Sequence, residues 1–591
     1  MKLNDIAYCI LAVTVTIVTA TSNEPFTVKT FQHSIQNRYL EWWQTAVFYQ
    51  IYPRSFKDSN NDGDGDLQGI IQKLDHIQDA GIDAIWLSPI YKSPQVDNGY
   101  DISDYRDIDE IYGTLDDLKE LLKEAHARGI KVILDYVPNH TSDKHAWFQA
   151  SLNKQEGYED FYVWKDPVFV DGERQPPNNW LSAFKGSAWE WSEERQQYYL
   201  HQFSIGQPDL NYRNPNVVRE MKDVLKYWLD FGIDGFRMDA VPTLFEDEQF
   251  RDEPLSGKAN VGPEDYEYLD HIYTTDLNET IFMIYQFRQV LDEFNANQND
   301  SYSRIMMTEV YSDIDTTMKY YGTVDGSIRG AHFTFNFWTF ITYLIKGVDP
   351  FELFQSITLW LENIPRLYTS NWVLGNHDQP RVATRLGPEN VDALNMLVAI
   401  LPGIWVTYNG EEIGQENGEV TCEQGYDPQA IKNCSTFNET SRDFERTPFQ
   451  WDTTVNAGFN EGAPTWLPVS KKYLETNLEN QLPADINSHY NIYKELIKFR
   501  DVFENETETS LLINAQVNWF RFLRIPNSDH IGYAFIFNIN DEENVVPDGF
   551  ASSTSEVIVR SSNSPYQIGD TFNLTQPLKP REAVILKMNM R

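Results

Sequence analysis

"LQGIIQKLDHIQDAGIDAIWLSPI", residues 67–90, decides the fold. Leu67, Ile70, Ile71, Leu74 and Ile77 recur at helical spacing, so the first half predicts an amphipathic helix. Gly81 is its stop, since glycine enters the left-handed C-cap conformation freely. The unbroken apolar run Ala84–Ile90 then predicts a strand buried on both faces, as in a parallel sheet. The unit repeats. "TLDDLKELLKEAHARGIKVILDYV" (114–137) has Thr114 as N-cap, Leu115, Leu118 and Leu122 as its stripe, Gly129 as its stop and Lys131–Val137 as its strand. "NPNVVREMKDVLKYWLDFGIDGFRMDA" (214–240) does the same with Gly232 and Gly235–Ala240. Further strand candidates are Val47–Tyr52, Ile305–Val310, His332–Phe337, Trp372–Gly375 and Ile404–Tyr408. Eight strands alternating with helices predict an α/β fold, a (β/α)8 TIM-type barrel.

Spacing then divides the chain. The third strand ends near Asn139 and the fourth begins near Gly235, about twice the interval a helix needs. The excess reads as a loop-rich inserted subdomain over 141–204, between a first barrel part (21–140) and a second (205–515). Beyond Gln516 the pattern changes to short alternating runs such as "VNWFRFLRI" and "HIGYAFIFNIN", which predicts a C-terminal antiparallel β domain over 516–591.

Composition narrows the function. The chain's 591 residues exceed one ordinary core, and its 34 Phe, 32 Tyr and 16 Trp exclude a disordered chain. Lysine and arginine total 48 against 88 acidic residues, a net charge of −40. That balance argues against nucleic acid or an anionic membrane as partner and favours neutral or cationic small molecules. Lys2, the apolar run Ile6–Ala20 and the polar "TSNEP" predict a signal peptide over 1–20, too short for a membrane span. A secreted protein without a stable membrane anchor is expected, and no feature of the sequence indicates an oligomeric state. Cys9 leaves with the leader. Cys422 and Cys434, twelve apart in a polar loop, then predict one disulfide. Asn278, Asn299, Asn433, Asn438, Asn505 and Asn573 are glycosylation candidates. A seventh sequon, at Asn139, falls inside a motif where a glycan would obstruct.

The chemistry sits at strand ends. In such barrels functional groups gather at the C-terminal ends of the strands. Here four ends carry dense polar residues: "DYVPNH" (135–140), "GFRMD" (235–239), "EVYS" (309–312) and "GNHDQP" (375–380). Each follows an apolar run, so Asp239, Glu309 and Asp378 are expected to converge on one mouth. The bland reading, polar caps on strand ends, does not account for four such motifs in order.

These motifs resemble those of the α-amylase superfamily, glycoside hydrolase family 13, and among its members the insect maltases (α-glucosidases). The resemblance runs from about Thr45 to the C-terminus, and "QPDLN" (207–211) resembles the motif of the oligo-1,6-glucosidase and maltase subgroup. It implies a retaining, exo-acting α-glucosidase with Asp239 as nucleophile, Glu309 as general acid/base and Asp378 as the third acid. Arg237, on the same strand face as Asp239, would keep the nucleophile ionised. Asp97 and Tyr100 of "DNGYD", His140, His377 and the Arg442 of "SRDFERTPFQWD" would bind the sugar. The implied substrates are small neutral sugars: maltose, sucrose and maltooligosaccharides. Ala240, small where α-1,6 enzymes of the subgroup carry valine, favours α-1,4 linkages. Such catalysis sets two carboxyls about 5–5.5 Å apart. Two charges at that distance repel by about 3 kcal/mol at an effective dielectric near 20. Trp164, Trp180, Trp189 and Trp191 of the insert are either sugar platforms or subdomain core. The same resemblance admits a transglycosylase or sucrose isomerase, or a non-catalytic relative such as the amino-acid transporter heavy chains.

"DSNNDGDGDL" (58–67) spaces oxygen donors like an EF-hand loop, but its twelfth position is Gly69, not glutamate. It lies between the first strand and the first helix, which removes the helix–loop–helix reading. The resemblance implies a structural Ca2+ (or Mg2+) site with Asp58, Asn60, Asp62 and Asp66 as side-chain ligands and Asp64 through its carbonyl, its side chain toward water. An empty acidic turn is the alternative. No organic cofactor is expected.

Overall fold

The computed structural model describes residues 27–34, 40–298, 300, 302–344, 347–503, 506, 508–526, 530–546, 552–572 and 576–590. The proposed leader at 1–20 and the sequons Asn299, Asn505 and Asn573 lie outside them.

All eight predicted barrel strands are present: Val47–Ile51, Ala84–Leu87, Lys131–Tyr136, Gly235–Met238, Ile305–Thr308, Phe333–Thr334, Asn371–Val373 and Ile404–Tyr408. They lie in one parallel sheet in which the first strand pairs with both the second and the eighth. Gly81 and Gly232 close their helices at φ +82° and +112°, and the Thr114 side chain caps its helix by accepting from the Asp117 amide. The first helix is two segments, Leu67–Gln72 and Leu74–Ala80.

The sheet closes by a side chain. The sixth and seventh strands share no ladder; the Asn371 amide spans the seam instead. It donates to the Thr334 carbonyl at 2.7 Å and accepts from the Asn336 backbone N–H at 2.7 Å. Closure places the ends of all eight strands around one mouth.

The insert packs on its own aromatic core. Val163, Trp180, Ala188, Trp189, Tyr198 and Leu200 form it, beside a three-stranded sheet of Trp164–Lys165, Trp189–Ser192 and Gln197–Leu200. Trp180 stacks on both Trp189 and Phe250, so these rings are core.

The C-terminal sheet departs from the expected bounds of 516–591 at both ends. Its strand Glu508–Gln516 begins earlier, and the edge strand is Thr27–Ser34, which pairs antiparallel with it and had been assigned to the barrel. Alternation in that strand is hidden because Lys29 faces inward, where it pairs with Glu362 on the barrel helix Pro350–Asn363. A charge whose partner lies 333 residues away leaves no local apolar signal. The Cys422–Cys434 disulfide is formed, with Cα atoms 5.5 Å apart.

Asn371→Ala is expected to leave the Asn336 amide buried and unpaired and the Thr334 carbonyl with the Tyr321 hydroxyl alone. Each such loss costs about 1–3 kcal/mol, so urea unfolding is expected to show a lower midpoint. A midpoint within error of wild type would show that the seam does not depend on this amide.

Candidate active site

Asp239, Glu309 and Asp378 all line one cavity of about 750 Å³ at the mouth of the barrel. Asp97, Tyr100, His140, His377 and Arg442 line it too, so eight of the nine sequence-predicted catalytic and sugar-binding residues meet there. The ninth, Arg237, lies just beneath.

Arg237 is the hub of the site. It is 1% exposed. Its Nη1 lies 2.6 Å from Asp239 Oδ1 and 3.0 Å from both Asp135 oxygens, while Nη2 lies 2.8 Å from Glu309 Oε1. The expectation that it keeps Asp239 ionised is corrected in part: one guanidinium is shared by three carboxyls, and burial works against it. The strand period explains two of them. Arg237 and Asp239 are two residues apart and point to the same side, and the parallel pairing of Arg237 with Asp135 puts that acid beside them. Holding Asp239 and Glu309 on two nitrogens of one cation also fixes their separation against mutual repulsion.

One positive charge faces three carboxyls here. Burial pushes the Asp239 carboxyl well above the usual carboxylate range, with Arg237 opposing. Burial lifts Asp135 to about 6, again against Arg237. Glu309 Oε2 also accepts from the Ala240 N–H at 3.0 Å, which fixes its orientation. Ala240 is held in left-handed backbone, φ +45°, directly after Asp239.

Asp378 is treated differently. Burial works to raise it, but the guanidiniums of Arg442 and Arg446 outweigh that and hold it well below the ordinary range. Arg446 Nη2 reaches Asp378 Oδ1 at 2.8 Å, and Arg442 Nη1 reaches the same oxygen at 3.1 Å. Arg442 Nη2 also meets Asp97 at 3.0 Å and Asp427 at 2.7 Å. Gln207 of "QPDLN" donates to Asp97 Oδ2 at 3.0 Å and lies 3.0 Å from His140 Nε2. These contacts seal one end of the cavity.

The histidines are neutral. Burial drives His140 to about 4 and His377 well below its usual value. Gln50 donates to His377 Nδ1 at 2.7 Å, so the ring hydrogen sits on Nε2, 2.6 Å from the Tyr100 hydroxyl.

Sequence reasoning missed Asp135, Gln207 and Asp427 as individual residues, although the first two lie in quoted motifs. Asp427 gave no signal: it stands in the polar loop between the two cysteines. Of the insert's four tryptophans, none lines the cavity; its aromatic wall is Phe184, Phe203, Tyr266 and Tyr311. Phe337 stacks on Tyr311 behind that wall.

The acidic loop is tightly organised. Asp58 accepts from the amides of Asn60, Asn61 and Gly63 at 3.2, 2.7 and 2.9 Å, and Asp66 accepts from Ser59 and from Gly69 of the following helix. Asn60 donates to Asp62 at 2.9 Å. Asp64 does not face water as expected: it pairs with Arg54 at 2.5 Å, because Arg54 lies against the same loop and over Trp466. Among the described residues, no group of three or more His, Cys, Asp or Glu side chains is arranged to hold a metal ion. The expected donors are all hard oxygens, which suit Ca2+ or Mg2+ by their chemistry.

Comparison with known proteins follows the geometry. The family model "Alpha amylase, catalytic domain" matches residues 50–507. Maltase 1 of Drosophila virilis is 53% identical over 81% of this chain and 76% of its own. The salivary alpha-glucosidase of Anopheles gambiae is 47% identical over 78% of each. Among solved structures, an alpha-glucosyl transfer enzyme superposes with a TM-score of 0.81 at 34% identity, over 93% of this chain and all of that one.

Arg237→Gln removes the shared cation. Breaking such a buried network costs about 3–5 kcal/mol. The stranded carboxyls then have folded pKa values above their unfolded ones, so the folded state binds more protons and stability is lost as pH rises. The variant's Tm is expected to lie nearer to wild type at pH 5 than at pH 8. An equal deficit at both would overturn the sharing of Arg237.

Proposed function

The chain belongs to the alpha-amylase family, glycoside hydrolase family 13, and within it we propose a secreted, exo-acting, retaining α-glucosidase. The α-glucosidase activity is the one named for insect relatives of up to 53% identity. The observation that carries the mechanism is Arg237 holding Asp239 and Glu309 together at the mouth of the barrel.

In the first step Asp239 attacks the anomeric carbon as the carboxylate, and Glu309 passes its proton to the glycosidic oxygen. The C–O bond to the leaving sugar breaks as an ester to Asp239 forms. In the second, Glu309 takes a proton from water, whose oxygen bonds to the anomeric carbon and displaces Asp239. Two inversions return the α configuration. Asp378, held ionised by Arg442 and Arg446, faces the charge that develops on the sugar ring. The end sealed by Arg442, Asp97 and Gln207 supports exo action, since a chain cannot pass through it.

Ala240 beside the nucleophile favours α-1,4-linked maltose and maltooligosaccharides, with sucrose, over isomaltose. The salivary relatives support secretion, and Asn278, Asn433 and Asn438 are exposed and available for glycosylation. The structural likeness to an alpha-glucosyl transfer enzyme supports transfer to a second sugar as a side reaction.

At the loop, a divalent cation would be held by Asp58, Asn60, Asp62, Asp66 and the Asp64 carbonyl. It would supply charge neutralisation to a rim segment, remote from the acids that act on the sugar.

Maltose is expected to turn over faster than isomaltose, with loss of at least about a thousandfold in Asp239→Asn, and p-nitrophenyl α-glucoside, followed by NMR, is expected to release α-glucose first. β-Glucose as the first sugar from the aryl glucoside, or full activity in the variant, would refute the assignment. Chelation is expected to lower Tm by a few degrees, restored by Ca2+, since a bound ion at a hundredfold over its Kd contributes about 2.7 kcal/mol. An unchanged Tm would leave the loop a solvated turn.

A further inference from the structure

The cavity has two ends. Arg442, Asp97 and Gln207 close one. At the other, Tyr311 and Ser312 follow Glu309 on its loop, and Pro242 and Thr243 follow Asp239; all four line the cavity. The leaving sugar lies on this side, because its glycosidic oxygen takes the proton from Glu309.

Asp276 also lines the cavity and has no part in the reaction as derived. Its backbone is left-handed, φ +58°, a conformation that aspartate enters more readily than most residues with a side chain. Its N–H donates to the Pro242 carbonyl at 2.8 Å, which ties it to the segment after the nucleophile. Its carboxyl is gripped from both sides: Tyr320 donates to Oδ1 at 2.6 Å and Ser312 donates to Oδ2 at 2.7 Å. Tyr320 is fully buried, so the carboxylate cannot swing away. Each carboxylate oxygen can accept a second hydrogen bond. What remains is an oriented acceptor aimed at the place where the leaving group sits.

We propose that Asp276 is a specificity-determining residue, accepting a hydrogen bond from a hydroxyl of the leaving sugar; this rests on the α-glucosidase reading. It selects sugars over leaving groups that carry no hydroxyl. A carboxylate placed just before the helix Asn278–Asn297 also stabilises that helix end. That role alone would affect every substrate alike, and this separates the two.

The test compares kcat/KM for maltose and for p-nitrophenyl α-glucoside, whose leaving group has no hydroxyl to offer. Asp276→Asn keeps the shape, and asparagine tolerates left-handed backbone; Asp276→Ala removes the acceptor. For both variants maltose is expected to lose about tenfold to a hundredfold, as for a hydrogen bond to a charged group. The aryl glucoside is expected to stay within about twofold of wild type. Equal losses on both substrates, or no loss on maltose, would overturn the proposal. If the wild type cleaves neither substrate, the α-glucosidase reading fails, and the proposal with it.

Discussion

A single buried guanidinium sets the terms for this site. Arg237 is 1% exposed and contacts Asp135, Asp239 and Glu309 at once. Leaving one buried charge unpaired costs several kcal/mol, so the barrel must deliver all three acids to the same cation from three adjacent strands. The third, fourth and fifth strands are in register, Asp135 beside Arg237 beside Met307, which is how it does so. The same contact holds two carboxyls close and leaves the group short of positive charge.

The opposite wall depends on a second arginine system. Asp427 accepts from the Arg442 backbone N–H and from its Nε and Nη2 at 2.8, 3.1 and 2.7 Å. This aims the guanidinium at Asp97 and Asp378 together. Asp427 lies between Cys422 and Cys434, so the disulfide closes the same loop that positions Arg442. One end of the cavity is thus built by the barrel and the other by a loop clasped over it. The two arginines also divide labour by charge. Asp378 has Arg442 and Arg446 nearby and is held ionised, whereas the three acids around Arg237 share one cation.

Much of this was legible in the sequence, for a definite reason. Ile70, Leu74 and Ile77 report a helix because burial of one face forces a 3.6-residue period. Ala84–Ile90 reports a strand because a parallel sheet is covered on both faces. Asp239, Glu309 and Asp378 were legible because each directly follows such a run. What failed to show was whatever depends on a partner far along the chain. Lys29 reads as a surface lysine until Glu362 is placed beside it. Asp64 reads as exposed until Arg54 comes over Trp466. Asp427 and Asp276 read as ordinary loop acids until Arg442, Tyr320 and Ser312 surround them.

The sequence by itself determined the alternation of helix and strand, the eightfold count, the site of the insertion and the identity of the acids at the strand ends. These follow from local periodicity and from what glycine, threonine and apolar runs do within a few residues. Tertiary structure alone decided that Asn371 closes the barrel, that the first described strand completes the last sheet, and that three carboxyls share Arg237. Those outcomes turn on contacts between groups tens to hundreds of residues apart. Their energy comes from burial and charge pairing, which exist only once the chain has closed.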